Sequence, residues 1–325
     1  MERRQVLALI PAAGALTAAG AATGRAQTYP DRPVRILASS PPGGATDVVA
    51  RLLADGFQAS FGQRFIVENR VGAGGTIAAD AAARAPADGY TLFMGILSTQ
   101  VVLPVIRRLP YDPETAFAPI GLVSVAPMVL VVHPSLPVRT VRDLIGLSRE
   151  RGGALNFSNG GMATLPHLLH EMLRRETGFA AQPVTYSGSA TSLQAVVKGE
   201  TAGTFEVGVI VRGQVTSGAL RALAVTTRSR DPGLPDVPTM VELGFPQFVA
   251  SSWAGLFAPA ATPAPLIQLL SRQLNAITGS EEFRVRLREL GAEAQTGSPE
   301  DLASWISEER ARWADIARAL AGSLN

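Results

Sequence analysis

Four times along this chain an apolar run breaks into a turn of glycine and hydroxyl-bearing residues and passes at once into a helical pattern. No other feature constrains the fold as much. Strand, tight turn and helix in repeated succession predict α/β architecture, with mostly parallel sheets and helices on both faces. Such sheets take ligands outside the carboxyl ends of their strands, which is where the turn opening at Ser39 and the pair Ser98-Thr99 would both lie.

The first turn, Ser39-Ser40-Pro41-Pro42-Gly43-Gly44-Ala45-Thr46-Asp47, follows the run Val34–Ala38 and precedes a helix reaching about Ser60. Val48, Val49, Leu52, Leu53 and Phe57 share one face of that helix. Gly43 and Gly44 leave the backbone free of side-chain bulk. The first N–H groups of the helix have no partner inside it and carry partial positive charge, which suits an anion. Asp47 lies in the first turn, where a carboxylate is favoured and holds the loop. Taken alone, the stretch reads equally as an ordinary connection.

The second turn, Asn69–Thr76, leads to a helix over 77–84, and Tyr90–Gly95 reads as a strand with Ser98-Thr99 at its end. The third, Ser158-Asn159-Gly160-Gly161-Met162-Ala163-Thr164, feeds a helix carrying Leu165, Leu168, Leu169, Met172 and Leu173 at helical spacing. The fourth, Ser187-Gly188-Ser189, enters a helix over 190–199, and a strand over 202–205 ends at Glu206. Two glycine-rich helix entries, one in each half of the chain, could grip one anion from opposite sides. Ile120–Val123 and Met128–His133 read as separate strands, Ser251–Ala258 as a returning strand, and 263–277, 281–290 and 299–320 as helices.

At 325 residues, 46% hydrophobic and 17% charged, the chain can bury ample core over two domains and is not disordered. Its basic residues are almost all arginine, scattered, with Lys198 the sole lysine and a net charge of only +2, so nucleic acid is not an expected partner. Arg3-Arg4, the apolar Val6–Ala22 and Gly24-Arg25-Ala26 read as an export signal cut after Ala26. Pro11 and the short apolar run argue against a permanent anchor. The paired arginines suit a twin-arginine signal or an ordinary Sec one. No cysteine is present for lipidation or a disulfide.

The chain has no G-x-S-x-G nucleophile elbow, no phosphate-binding P-loop and no G-x-G-x-x-G. His167, His170 and Glu171 form H-x-x-H-E, which lacks the order and supporting ligands of a zinc site. His167 is read as a hydrogen-bonding residue near a helix start, and neither catalytic residue, metal nor cofactor is assigned.

Several blocks resemble one family, in order, over the whole mature chain. Tyr29–Ile36 is similar to the mature N-terminus of tripartite tricarboxylate transporter substrate-binding proteins, also called the Bug family or TctC-like receptors. Pro41-Pro42-Gly43-Gly44-Ala45-Thr46-Asp47 matches the family's P-P-G-G-x-x-D. Val67–Arg70 with Gly72–Gly75, Ala87–Leu92, Leu109–Pro113, Leu234–Thr239 and Ser252–Pro263 match its later blocks.

The resemblance implies a periplasmic Venus-flytrap receptor without catalysis, monomeric by default. Its lobes would be 27–124 plus 251–325 and 125–250. It would close on a small carboxylate and deliver it to a tripartite tricarboxylate-type permease. A secreted enzyme acting on a carboxylated substrate, or a receptor feeding a sensor, are the alternatives. Carried over by position, Ser40, Gly43, Gly44, Ala45 and Asp47 make the first grip, with Ser98 and Thr99 beside it. Ser158, Asn159, Gly160, Gly161, Ala163 and Thr164 make the opposing one, joined by Ser187, Ser189 and Glu206. Ser40, Gln100, Leu103 and Ala163 depart from the family pattern, and Ser187 and Glu206 stand where the family has Lys and Asp. Glu206 either faces the cleft and selects a ligand bearing an amine, amide or hydroxyl, or is a solvated acid at a strand end.

Overall fold

The computed structural model describes residues 29–323, so the export segment read at 1–26 lies outside the described residues. The chain opens with β1 (Val34–Ala38), α1 (Ala45–Phe61), β2 (Phe65–Asn69), α2 (Thr76–Ala83) and β3 (Thr91–Ile96). A π-helical turn at Ser98–Val102 runs into the short α3 (Leu103–Ile106). Next come β4 (Phe117–Val132), α4 (Val141–Glu150), β5 (Asn156–Asn159), α5 (Leu165–Thr177), β6 (Gln182–Thr185), α6 (Ser189–Val197), β7 (Gly203–Val207), α7 (Gly208–Thr216) and β8 (Arg221–Val225). The chain ends with β9 (Ser251–Pro259), α8 (Ala264–Gly279), α9 (Glu281–Glu289), β10 (Glu293–Ala294) and α10 (Pro299–Ser323).

The strands join in the order β2-β1-β3-β9-β4-β7-β5-β6, with β8 and β10 also paired to β4. Parallel pairing holds β2, β1 and β3 together at one end and β6, β5 and β7 at the other. Every pair that includes β4 or β9 is antiparallel. The α/β expectation therefore holds, with an antiparallel centre between two parallel blocks.

The two runs read as separate strands, Ile120–Val123 and Met128–His133, merge into the 16-residue β4. Its first part pairs with β9 and its last residues, Met128–Val132, with β7 and β8. The register shifts beside Gly121 and before Ser124, bends that curl the strand without ending it. A Cβ on Gly121 would meet the Leu274 side chain at 2.8 Å, so this glycine lets α8 sit close to the strand. From Met128 onward both faces are buried: Leu130 and Val132 pack into the main core, Val129 and Val131 into a smaller one. Burial on both sides explains the continuous apolar sequence.

Helix α7 is absent from the sequence reading. Its residues include Gly208, Gly213 and five β-branched side chains, Val209, Ile210, Val211, Val215 and Thr216, which are poor helix formers in isolation. Packing of Val211 into the smaller core and contacts with β4 and β7 override that preference.

The long α10 is tied to the sheet at a buried polar point. Glu309, only 3% exposed, accepts hydrogen bonds from the indoles of Trp253 on β9 at 3.3 Å and Trp313 at 3.0 Å. Arg312 pairs with its other oxygen at 3.0 Å. Burial raises the Glu309 pKa, and Trp313, Arg312 and Trp253 work against that rise.

Candidate functional site

All four glycine- and serine-bearing turns reach one cavity of about 290 Å³. From the β1–α1 turn come Ser39, Ser40, Ala45 and Thr46, and from the β2–α2 turn Gly72, Ala73, Gly74 and Gly75. The β5–α5 turn adds Gly160, Gly161, Met162 and Thr164, and the β6–α6 turn Thr185–Ser189. Each turn leaves the carboxyl end of a parallel strand, so the two parallel blocks aim the starts of their helices at the same space.

At the first turn of α1 the Ala45 and Thr46 N–H groups have no partner among the described residues. The next N–H, of Asp47, donates to Ser40 Oγ at 3.0 Å. Thus Ser40 is at once a helix cap and part of the wall. Asp47 is 2% exposed and turned away from the cavity. Its carboxylate accepts from Gly43 N at 2.9 Å, Arg51 Nε at 3.0 Å and Asn69 Nδ2 at 2.8 Å. Burial would raise its pKa, yet the bonds from Arg51, Asn69 and Gly43 hold it below the ordinary carboxylate range.

This geometry corrects two expectations. Gly43 and Gly44 do not offer their N–H groups to a ligand: Gly43 N is taken by Asp47 and Gly44 N by Pro41 O at 3.0 Å. Gly43 is needed for its left-handed φ of 78°, and Gly44 because a Cβ there would lie 2.9 Å from the Ser40 Cβ. Both glycines, and Asp47, shape the turn from behind.

The third turn is built the same way. Asn159 Oδ1 accepts from Gly161 N at 3.1 Å, and Thr164 Oγ1 donates to Gly161 O at 2.7 Å. Ala163 is fully buried with φ 63°, a conformation that favours glycine, and its N–H donates to His167 Nδ1 at 3.2 Å. His167 is therefore the hydrogen-bonding residue expected, with a pKa lowered by burial against the pull of Glu171. Ser158 is buried and its hydroxyl bonds to Ser192 O at 3.2 Å. So Gly160, Gly161 and Thr164 reach the wall, whereas Ser158, Asn159 and Ala163 support it.

Ser187 and Ser189 line the cavity, and the Ser189 N–H at the start of α6 has no partner among the described residues. Ser98 and Thr99 do not reach the wall. Both are buried in the π-helical turn, and their hydroxyls bond back to Gly74 O at 2.8 Å and Ile96 O at 3.0 Å. Glu206 meets neither reading of it. It is fully buried in β7, paired with Val129 and absent from the cavity wall.

Several wall residues escaped the sequence reading. The Gly72–Gly75 turn is one, although its glycine cluster was a visible signal. Arg107 is another, and nothing in its local sequence marks it. Among the described residues it is the only charged side chain on the wall. Its Nη2 donates to Ala73 O at 2.6 Å and Thr76 Oγ1 at 2.8 Å, while Nε and Nη1 have no partner among the described residues. Leu103, with Ile96 and Met162, supplies apolar wall nearby. The cavity thus combines open helix N-termini, hydroxyls, one arginine and an apolar strip, with no acidic side chain among the described residues on its wall, which suits an anion with a carbon skeleton.

The turns also touch across the cavity. A Cβ on Gly74 would come within 2.9 Å of Met162 O, and one on Gly188 within 2.7 Å of Pro41 Cδ. Among the described residues no group of three metal-ligating side chains converges; the His170 ring lies 5.5 Å from the rings of Phe157 and of Phe179.

A family model described as the tripartite tricarboxylate transporter family receptor matches residues 49–321. Among curated proteins, Protein BugT of Bordetella pertussis is 37% identical over 310 residues, covering 95% of each chain. A UPF0065 protein from the tcbD-tcbE intergenic region of Pseudomonas sp. strain P51 is 34% identical over 312 residues, 96% of this chain and 92% of that one. Among solved structures, R. palustris Rpa4515 with adipate superposes with a TM-score of 0.87 at 36% identity, covering 90% of this chain and 98% of the other. The periplasmic binding protein BugD gives 0.86 at 32%, with 90% and 98% covered. MatC from Rhodopseudomonas palustris with bound malate gives 0.85 at 31%, with 89% and 100% covered.

Proposed function

The chain belongs to the tripartite tricarboxylate transporter receptor family, and from that membership we propose that it is an extracytoplasmic receptor closing on a small organic carboxylate. The observation that carries the reading is the convergence of unpartnered helix N-termini, at Ala45, Thr46 and Ser189, on a cavity with one arginine and no acid. One carboxylate would sit among these N–H groups and the hydroxyls of Ser40, Thr164, Ser187 and Ser189. The solved relatives with adipate and malate, both dicarboxylates, support that chemistry. Arg107 would take a second anionic group, with Leu103 and Met162 against the carbon chain.

The lobes would be 27–124 plus 251–325 and 125–250, and β4, which pairs with β9 up to Pro127 and with β7 and β8 from Met128, would carry the chain from one to the other. A ligand touching turns of both lobes favours the closed arrangement through its differential affinity for it. The closed form would dock on a permease of the tripartite type. Export would follow cleavage after Ala26, by the Sec or the twin-arginine route, placing the receptor in the periplasm.

The test is a thermal-shift screen of mono-, di- and tricarboxylates against the protein, followed by calorimetry. A carboxylate present at a hundredfold its Kd stabilises by about 2.7 kcal/mol, a plain rise in Tm. Stabilisation by an unrelated class and by no carboxylate sinks the reading. Mass spectrometry of the bound ligand after incubation separates a receptor, which returns it unchanged, from an enzyme.

A further inference from the structure

One buried acid is left unexplained by the cavity wall. Glu206 Oε2 accepts from the Val207 N–H at 3.3 Å, while Oε1 has no partner. The hydroxyls of Ser189 and Ser192, in the first turn of α6, approach this carboxyl, and Ser192 Oγ is itself buried without a partner. Ser189 also lines the cavity. It therefore stands between the acid and the space proposed for the ligand, at the helix end whose N–H is open.

We propose that Glu206 is held as a neutral carboxylic acid and is the positioning residue that keeps the α6 N-terminus available to an anionic ligand. The proposal rests on the carboxylate reading of the cavity. Fully buried with no cation beside it, the carboxyl favours its neutral form, whose proton can be donated to Ser192 Oγ or Ser189 Oγ. An ionised Glu206 would satisfy the same helix end from behind and repel the ligand's charge in a region shielded from solvent. An acid one layer behind the wall is then compatible with an anion site, provided that it keeps its proton.

The surroundings favour the neutral form. Burial pushes the Glu206 pKa up to about 8, with Ser189, Val207 and Ser192 pulling it back. The strands beside it, β4 and β5, and helix α6 carry no titratable side chain. Helix α5 brings His167, His170, Glu171, Arg174, Arg175 and Glu176, and α7 brings Arg212. His167 bonds to Ala163, His170 lies among phenylalanine rings, Glu171 pairs with Arg174, Glu176 with Gln247 and Arg212 with Asp231, while Arg175 is exposed. None of them perturbs Glu206.

The sign follows from linkage. Below pH 8 the acid is already neutral and binding costs no proton. Above it, binding an anion must be accompanied by proton uptake, so affinity falls with rising pH by up to about tenfold per unit. The experiment is calorimetric titration of adipate between about pH 6 and pH 9 for the wild type, Glu206→Gln and Glu206→Asp. The wild type should bind with constant Kd to about pH 7 and weaken roughly five- to tenfold by about pH 9. Glu206→Gln should bind within about twofold of wild type at neutral pH and stay flat, and Glu206→Asp should regain a pH-dependent profile with a displaced midpoint. A flat wild-type profile, or a Glu206→Gln profile parallel to it, overturns the proposal.

Infrared spectroscopy of the ligand-free protein supplies an arm that needs no binding. A protonated carboxyl band present in the wild type, missing from Glu206→Gln and lost as pH is raised through 8 is expected, the variant separating it from the buried Glu309, and its absence overturns the proposal. If adipate and every other carboxylate fail to bind at any pH, the carboxylate reading fails, whereas the infrared band still decides the state of Glu206.

Discussion

Gly188→Ala should hold the two lobes apart and weaken ligand binding while leaving each lobe folded. Gly188 has φ 172° and ψ 170°, extended backbone that alanine adopts readily. The new methyl would have little conflict within its own turn. Across the cavity, however, it would lie 2.7 Å from Pro41 Cδ and 3.0 Å from Pro41 Cγ. Carbon atoms rest at about 3.5–4.0 Å, so the shortfall is roughly 1 Å. A proline ring has no rotamer that clears the space. Overpacking of this kind costs about 1–3 kcal/mol. Because the clash exists only when the turns meet, that cost falls on the closed form, and the ligand must overcome it. At 1.4 kcal/mol per decade the expected loss is about 5- to 150-fold in Kd.

Calorimetry with adipate measures the change, and the melting temperature of the ligand-free protein checks the fold. Pro41→Ala removes Cγ and Cδ, so the double variant should recover most of the affinity if the methyl acts through the interlobe contact. If Gly188→Ala bound adipate like the wild type, or if Pro41→Ala failed to restore binding, the two turns would not form the closing contact.

Arg107→Ala should weaken a dicarboxylate such as adipate about tenfold and leave the corresponding monocarboxylate almost unchanged, as expected for loss of one charge-assisted contact; equal losses for both ligands would remove Arg107 from the site. Glu309→Ala should destabilise the protein by about 2–4 kcal/mol, because two buried indole N–H groups lose their acceptor, and denaturant unfolding followed by tryptophan fluorescence reads that loss directly. Asp47→Ala should cost both stability and affinity, since Gly43, Asn69 and Arg51 lose one shared partner. The Asp47 contribution should likewise fade in acid, as pH drops through its lowered folded pKa. Glu206→Gln should gain stability over the wild type between about pH 5 and pH 8, where the wild-type fold retains a proton that the unfolded chain has released.

The general architecture was legible because its signals are local. Apolar runs, glycine turns and helical spacing each fall within a dozen residues, and the four turns that line the cavity were all visible as strand-to-helix entries. Which atoms of those turns face the cavity was not legible. Ser40, Ala45, Gly160, Gly161, Thr164, Ser187 and Ser189 reach the wall. Gly43, Gly44 and Asp47, the most conspicuous residues of the same motif, are committed within the scaffold: Gly43 to Asp47, Asp47 also to Asn69 and Arg51, and Gly44 to Pro41. A turn that offers open N–H groups must first fix its own backbone, and the residues with the strongest local signal do the fixing. Motif strength therefore marks the scaffold of the grip more than its contact surface.

Residues placed by tertiary structure alone carried no such signal. Arg107 arrives at the wall because the π-helical turn and α3 carry it next to Ala73 and Thr76, 31 and more residues earlier in the chain. Glu206 was visible as an acid at the end of a strand, a position that in an isolated strand is solvated. In the fold, β7 sits between β4 and β5 and under α6, so the same acid is enclosed on every side. Its chemistry changes with that enclosure: a group that would repel the ligand as a surface carboxylate becomes, as a neutral acid, a silent neighbour of the anion site. The sign of its influence thus depends on a proton, which is why the pH profile of binding, more than the loss of affinity on substitution, is the measurement that distinguishes a positioning role from a structural one.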